Sequence, residues 1–167
     1  MSLDGFASML ESSTDTVVGC IQAITVLLFL DIDGVLRRKQ SPLYRLDPDC
    51  LQAFEEAIRP LAGVQIVITS TWREAFTLDE MRGLFSRDIA LRVIGATPIA
   101  PNRDGHYRHR EVLAYLKLKG REGEPWLALD DDPLHYPPLD NVLLIDAERG
   151  FDSDAMQRLI AAVQNAH

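Results

Sequence analysis

Cysteine is close to absent: the 167-residue chain holds only Cys20 and Cys50. Two cysteines make no disulfide framework, and Cys50, on an expected core-facing helix, reads as a buried free thiol. Basic residues are also short, with 17 Lys and Arg against 25 Asp and Glu and a formal net charge of -8. That balance argues against a broad nucleic-acid footprint, which relies on clustered cations, although Arg103 to Arg110 offers a local basic rim. Long apolar runs are missing too. Ile21 to Leu30 is too short to span a bilayer and runs straight into Asp31. Val18-Gly19-Cys20 resembles the end of a lipoprotein cleavage site, but no basic residue precedes it and the apolar run follows the cysteine. With no targeting signal, no membrane segment, no repeat and no low-complexity tract, a cytoplasmic location is expected.

What is present suits one folded domain. Hydrophobic residues at 47% and charged residues at 25% are ordinary for a globular chain of this length. Residues 1–24 are expected to be a tail or short helix, and residues 25–167 the domain. Val26 to Leu30 is a wholly apolar run, as in strands buried on both faces. Asp47-Pro48 starts a helix with an N-cap acid and Pro at its first position, and Leu51, Phe54, Ile58 and Leu61 follow at helical spacing. Val64 to Ile68 is a second strand, and Thr77-Leu78-Asp79-Glu80 a capping box opening a helix to Leu84 or Phe85. Further strands are expected at Ile89–Ile94, Trp126–Leu129 and Asn141–Ile145, with helices at Arg110–Leu118 and from Asp152 through Val163. Alternating strands and helices imply an α/β fold with a parallel sheet and right-handed crossovers.

The densest chemistry follows the first strand, in Asp31-Ile32-Asp33-Gly34-Val35-Leu36. Residues i and i+2 of an extended chain point the same way, so Asp31 and Asp33 can face one site at the carboxyl end of a strand, where open α/β sheets bind ligands. One carboxylate can attack or hold a metal while the other moves a proton. The plainer alternative is a strand followed by an acidic turn. Two more pieces weigh against it: Val64-Gln65-Ile66-Val67-Ile68-Thr69-Ser70, a strand ending in hydroxyls, and Trp126-Leu127-Ala128-Leu129-Asp130-Asp131-Asp132, a strand ending in acids.

These three segments, in this order, resemble the first, second and fourth motifs of the haloacid dehalogenase-like (HAD) superfamily, mostly phosphatases and phosphotransferases. The resemblance runs from about Thr25 to the C-terminus. It implies a three-layer Rossmannoid fold with a five-stranded, mainly parallel sheet in the order 5-4-1-2-3. It implies a Mg²⁺-dependent phosphomonoester hydrolase, with Asp31 as nucleophile forming an aspartyl phosphate and Asp33 as general acid and base. Thr69, with Ser70 as close competitor, would hold the phosphoryl oxygens. The third-motif cation falls to Arg108, then Arg110, with Lys117 and Lys119 more consistent with a solvated helix end. Metal ligands would be Asp31, the carbonyl of Asp33, and Asp131 or Asp130, with Asp131 ranked first. Four carboxylates converging without a cation would be costly, and magnesium prefers such oxygen ligands.

Other assignments follow from local context. Asp132, before Pro133, is expected to face solvent or cap the next turn, and Arg73 to form a surface or supporting ion pair. His106, His109 and His135 invite a zinc site, but no Cys or Glu pattern completes one. Arg37 to Leu46 reads as a hairpin-like flap and Pro98 to Tyr107 as a loop. The intervals between motifs leave no room for a folded lid, so the site is expected to be capless, suiting a large substrate such as a macromolecular phosphate or needing a partner to close it. Alternative readings are a nucleic-acid end-processing phosphatase and a degenerate HAD module acting as a scaffold. A response-regulator receiver has the wrong motif order, and a dehalogenase would use a cap and have no need of Asp33.

Overall fold

The structure, a computed structural model, describes residues 25–103 and 105–166. The proposed tail, with Cys20, therefore lies outside the described residues. Strand β1 (Val26–Leu30) occupies the centre of a five-stranded sheet, with β2 (Val64–Ile68) and β4 (Trp126–Asp130) paired to it in parallel. Strands β3 (Val93–Ala96) and β5 (Val142–Leu144) extend the sheet outward, also in parallel, giving the order β3-β2-β1-β4-β5. This is the expected 5-4-1-2-3 order read from the other edge.

Alternation along β1 divides the core. Val26, Leu28 and Leu30 face one layer, where Phe54, Ala57 and Ile58 of α1 (Pro48–Ile58) and Ala155 and Leu159 of α5 (Ser153–Asn165) pack. Leu27 and Phe29 face the other, against Val112, Tyr115 and Leu116 of α4 (Tyr107–Lys119). All five β1 side chains are buried, so a polar substitution on either face would put an unpaired group into the core.

Register positions the site. Leu30 pairs with Ile68 on one side and Leu129 on the other, and Ile68 pairs with Ala96. The next residues of these strands, Asp31, Thr69, Asp130 and Thr97, therefore stand at one level along the carboxyl edge of the sheet. The backbone ladder continues through them: Asp31 N–H donates to the Leu129 carbonyl at 3.0 Å and Thr69 N–H to the Leu30 carbonyl at 2.9 Å.

Several elements differ from the sequence reading. The third strand begins at Val93, and Ile89, expected to start it, is buried from a short helix, α3 (Arg87–Ala90). A short apolar run fits a buried helix face as well as a strand, so periodicity could not separate them. Helix α2 (Leu78–Arg82) keeps the expected capping box, with Glu80 N–H 3.3 Å from Thr77 Oγ1 and Thr77 N–H 2.8 Å from Glu80 Oε2, but ends at Gly83. Helix α4 starts at Tyr107, three residues earlier than expected, which brings Arg108 and Arg110 into its first turn.

The flap is a run of turns joined by one isolated bridge between Asp33 and Arg37, with no hairpin strands. Asp47, positioned as the N-cap of α1, spends its carboxylate on the flap instead of the helix. It accepts from Arg38 N–H at 2.6 Å and from the Ser41 hydroxyl at 2.8 Å. Among the described residues no lid domain is inserted, and no helix is long and apolar enough to cross a membrane.

Candidate active site

Asp31 is buried at the end of β1, where its Oδ1 accepts from the Ile32 N–H at 2.7 Å. Its pKa is pushed up to about 7, first by burial and next by the neighbouring Asp130 carboxylate, against the opposing pull of Arg108. Asp130 is fully buried at the end of β4; its Oδ1 accepts from His135 Nδ1 at 2.8 Å and Asp132 N–H at 2.9 Å. Its Oδ2 has no partner. Burial, followed by repulsion from Asp130, also raises Asp131.

Asp131 is held by the turn after β1. Gly34 takes φ +75°, and a Cβ built there would lie 2.2 Å from Asp131 Cγ. Glycine is thus required twice, by the left-handed backbone and by the closeness of the carboxylate.

Asp33 projects beyond the strand end, with 39% of its side chain exposed. Its Oδ2 accepts from the indole Nε1 of Trp72 at 3.1 Å. Its Oδ1 lies 3.1 Å from Arg37 Nε, close enough for an ion pair, though the two atoms are not aligned for a hydrogen bond.

The two hydroxyls after β2 have separate positions. Thr69 Oγ1 is buried at the strand end without a partner, while Ser70 Oγ accepts from Trp72 N–H at 3.4 Å and caps the 3₁₀ turn Thr71–Glu74. The two candidate cations are also separated. Arg108 is buried, bonded by Nη1 to Glu111 Oε2 at 3.0 Å, and leaves its Nε without a partner. Burial works against its charge, but Asp31 and Glu111 outweigh it and raise its pKa. Arg110 instead braces the preceding loop, donating to the Gly105 and Pro101 carbonyls at 2.7 Å each.

Glu111, Tyr107 and Tyr136 join the site without having been singled out in the sequence, together with Arg73 and His135, named there as an ion-pair former and a zinc candidate. Glu111 bridges Arg108 to Arg73, whose Nη2 lies 2.7 Å from Glu111 Oε1. Arg73 Nη1 donates to the carbonyls of Thr69 and Ser70 at 2.5 and 2.6 Å, so it is a buried strut beneath the second strand end. His135 Nε2 is 2.9 Å from the Tyr107 hydroxyl, completing a chain from Asp130 through His135 to Tyr107. The Tyr136 hydroxyl is buried without a partner, and burial together with the Asp130 charge keeps it protonated.

Among the described residues, Asp31, Asp130 and His135 form a group whose potential ligand atoms all lie within 4.8 Å of one another. Both His135 nitrogens already have protein partners, so this ring orients Asp130 more readily than it binds an ion. The remaining donors are oxygens, including the unpartnered Asp130 Oδ2, and their mutual repulsion is relieved by a hard divalent cation. The residues present fit magnesium. His106 and His109 contribute nothing to a zinc set: His109 packs by Trp126 and Tyr136, and His106 precedes α4. Asp132 caps the 3₁₀ turn Pro133–His135 through Leu134 N–H, as expected.

A parallel sheet in this order, with an acid pair after the central strand, a hydroxyl after the next and an acid cluster after β4, defines a HAD-like module. The chain belongs to the family described as the HAD domain in Swiss Army Knife RNA repair proteins, whose model matches residues 27–156. No curated protein and no solved structure matches the chain.

Proposed function

We propose that this chain is a phosphomonoester hydrolase working through an aspartyl-phosphate intermediate. The observation that carries the reading is the strand-end level at which Asp31, Asp130 and the unpartnered Thr69 hydroxyl converge, with Arg108 alongside. In the first step an Asp31 carboxylate oxygen attacks phosphorus, the bond from phosphorus to the leaving-group oxygen breaks, and Asp33 protonates that oxygen. In the second, Asp33 takes a proton from water, the water oxygen attacks phosphorus, and Asp31 is released with inorganic phosphate. Thr69 Oγ1 and the Arg108 guanidinium would hold the non-bridging phosphoryl oxygens, and preorganised donors of this kind supply most of the catalysis in phosphoryl transfer. Magnesium, held by Asp31, Asp130, the Asp33 carbonyl and Asp131, would neutralise phosphoryl charge and keep Asp31 ionised.

The family description favours a phosphate-terminated RNA strand as substrate, and the capless site leaves room for one. The test is magnesium-dependent release of phosphate from an aryl phosphate and from phosphate-ended RNA, wild type beside Asp31→Asn. Metal-dependent turnover that vanishes in the variant supports the mechanism. Magnesium binding without turnover on any of these substrates would favour a binding module instead.

A further inference from the structure

Beside the site is an aromatic recess that the proposed chemistry does not use. Tyr44, Trp72, Phe76, Glu80, Gly83 and Leu84 line a cavity of about 260 Å³. That is slightly below the ~300–1,000 Å³ of sites for drug-sized ligands, a size for one planar ring system. Trp72 forms the buried floor, and the Tyr44 ring meets Trp72 and Phe76 edge-on, with centroids 5.4 and 5.1 Å apart. Tyr44 itself remains 55% exposed and has a left-handed backbone at φ 57°. A non-glycine residue seldom adopts that conformation, and here it presents an aromatic face to solvent from a flap pinned by Asp47.

The recess is joined to the chemistry through one side chain. The Trp72 ring that floors it is the ring whose Nε1 donates to Asp33 Oδ2 at 3.1 Å. Asp33 is the proposed acid for the leaving-group oxygen, so the recess lies one side chain away from where that group departs. Glu80 on the lining keeps its charge, its carboxylate held by the Thr77 N–H and hydroxyl at 2.8 Å each, so the recess suits an uncharged ring rather than a phosphate. Arg45, next to Tyr44 and exposed, makes no ion pair among the described residues and can meet a phosphate. The net charge of -8 leaves little capacity for binding a long backbone electrostatically, so affinity for a strand has to come from stacking.

We propose that Tyr44 and the Trp72–Phe76 recess form a subsite for the terminal nucleobase of a phosphate-ended strand, the base stacking on Tyr44. This deepens the hydrolase reading and rests on it for the placing of the leaving group. Two measurements test it. In the magnesium-loaded protein, kcat/KM for a phosphate-terminated oligoribonucleotide is divided by that for glycerol phosphate. Tyr44→Ala is expected to lower this ratio by roughly 10-fold, and Tyr44→Phe, which retains the ring, to restore it. A ratio unchanged in Tyr44→Ala overturns the subsite. So does a phosphotyrosine peptide that outperforms the oligonucleotide with the same Tyr44 dependence, which would assign the recess to a protein side chain.

The second measurement is calorimetric titration of adenosine monophosphate into the Asp31→Asn protein, with and without Tyr44→Ala. Binding weakened at least 5-fold by loss of Tyr44 supports the subsite even if the wild type hydrolyses nothing, in which case the hydrolase reading alone fails. Binding that does not depend on Tyr44 overturns the subsite even in an active enzyme.

Discussion

Glu111 Oε1 lies 2.7 Å from Arg73 Nη2, and the other oxygen of the same carboxylate holds Arg108 at 3.0 Å. All three side chains are buried, and Arg73 carries the link on to the backbone carbonyls after β2. One carboxylate thus couples the strand end bearing Thr69 to the helix bearing Arg108. Removing one partner of a buried ion pair leaves an uncompensated charge, at a cost of about 3–5 kcal/mol. Glu111→Ala should lower the unfolding free energy obtained from urea titration by an amount in that range and abolish the proposed phosphatase activity. A loss below about 1 kcal/mol would mean that the network is not stabilising in solution.

The raised pKa of Asp31 makes a prediction about pH in the metal-free protein. Its folded value is about 7 against an ordinary 3.8, so between these values the folded state binds a proton that the unfolded chain does not. Stability contributed by that proton is fully present below pH 4 and is lost as pH rises through 7, by a few kcal/mol in all. Thermal melts in chelator should therefore show falling stability from pH 5 to pH 7. Magnesium or Asp31→Asn should flatten the slope, and an unchanged slope in the variant would assign it to other groups.

Gly34 is predicted to be intolerant of a methyl group. Gly34→Ala would place a Cβ 2.2 Å from Asp131 Cγ at a φ of +75°. Turn and carboxylate must both shift, with backbone strain alone costing about 1–3 kcal/mol. Magnesium affinity, read by calorimetry, should fall at least 10-fold along with stability. Retained affinity would show that Asp131 is not needed for the metal.

His135 is predicted to act on magnesium indirectly, by orienting Asp130. Burial opposes its charge, but the Asp130 carboxylate bonded to Nδ1 outweighs this and raises its pKa. His135→Ala leaves Asp130 Oδ1 with only the Asp132 N–H and should weaken magnesium by roughly 10–100-fold, the usual effect of removing a ligand's orienting partner. Tyr107→Phe, one bond further away, should have a smaller effect in the same assay. An equal or larger effect would argue against a chain of support running outward from Asp130.

The fold was legible because its central elements are chemically extreme. Val26–Leu30 is wholly apolar and Val64–Ile68 is interrupted only by Gln65, both fitting a strand buried on both faces, and their ends carry the chemistry. Asp31, Asp33, Thr69 and the acid cluster could be named for the same reason: each directly follows such a run. Trp72 and Glu111 could not, and His135 was named only as a zinc candidate. Their roles depend on contacts across 39, 38 and 5 residues of sequence to Asp33, Arg73 and Asp130, and nothing in their immediate neighbours announces a partner. Tyr107 was obscured by helix α4 starting earlier than its polar first turn suggested, whereas Arg108 was named through the family resemblance. For Tyr44 the missing signal was conformational, since a positive φ at a tyrosine has no compositional mark.

Thr69 and Ser70 are adjacent hydroxyls with opposite expected behaviour. Thr69 Oγ1 is buried without a partner, whereas Ser70 Oγ accepts the Trp72 N–H that opens the 3₁₀ turn. Thr69→Val keeps the shape and removes a buried hydroxyl that has no protein hydrogen bond to lose, so stability should stay level or rise slightly. The same change removes the donor proposed to hold the phosphoryl oxygens, and the loss of one such donor typically costs about 10²–10³ in kcat. Ser70→Ala should do the reverse, costing about 0.5–2 kcal/mol as a lost cap while leaving most of the turnover in place. Unfolding midpoints and kcat for both variants separate the two roles. If Ser70→Ala proved the more damaging to kcat, the phosphoryl contact would belong to the second hydroxyl and the strand end would be read one residue further on.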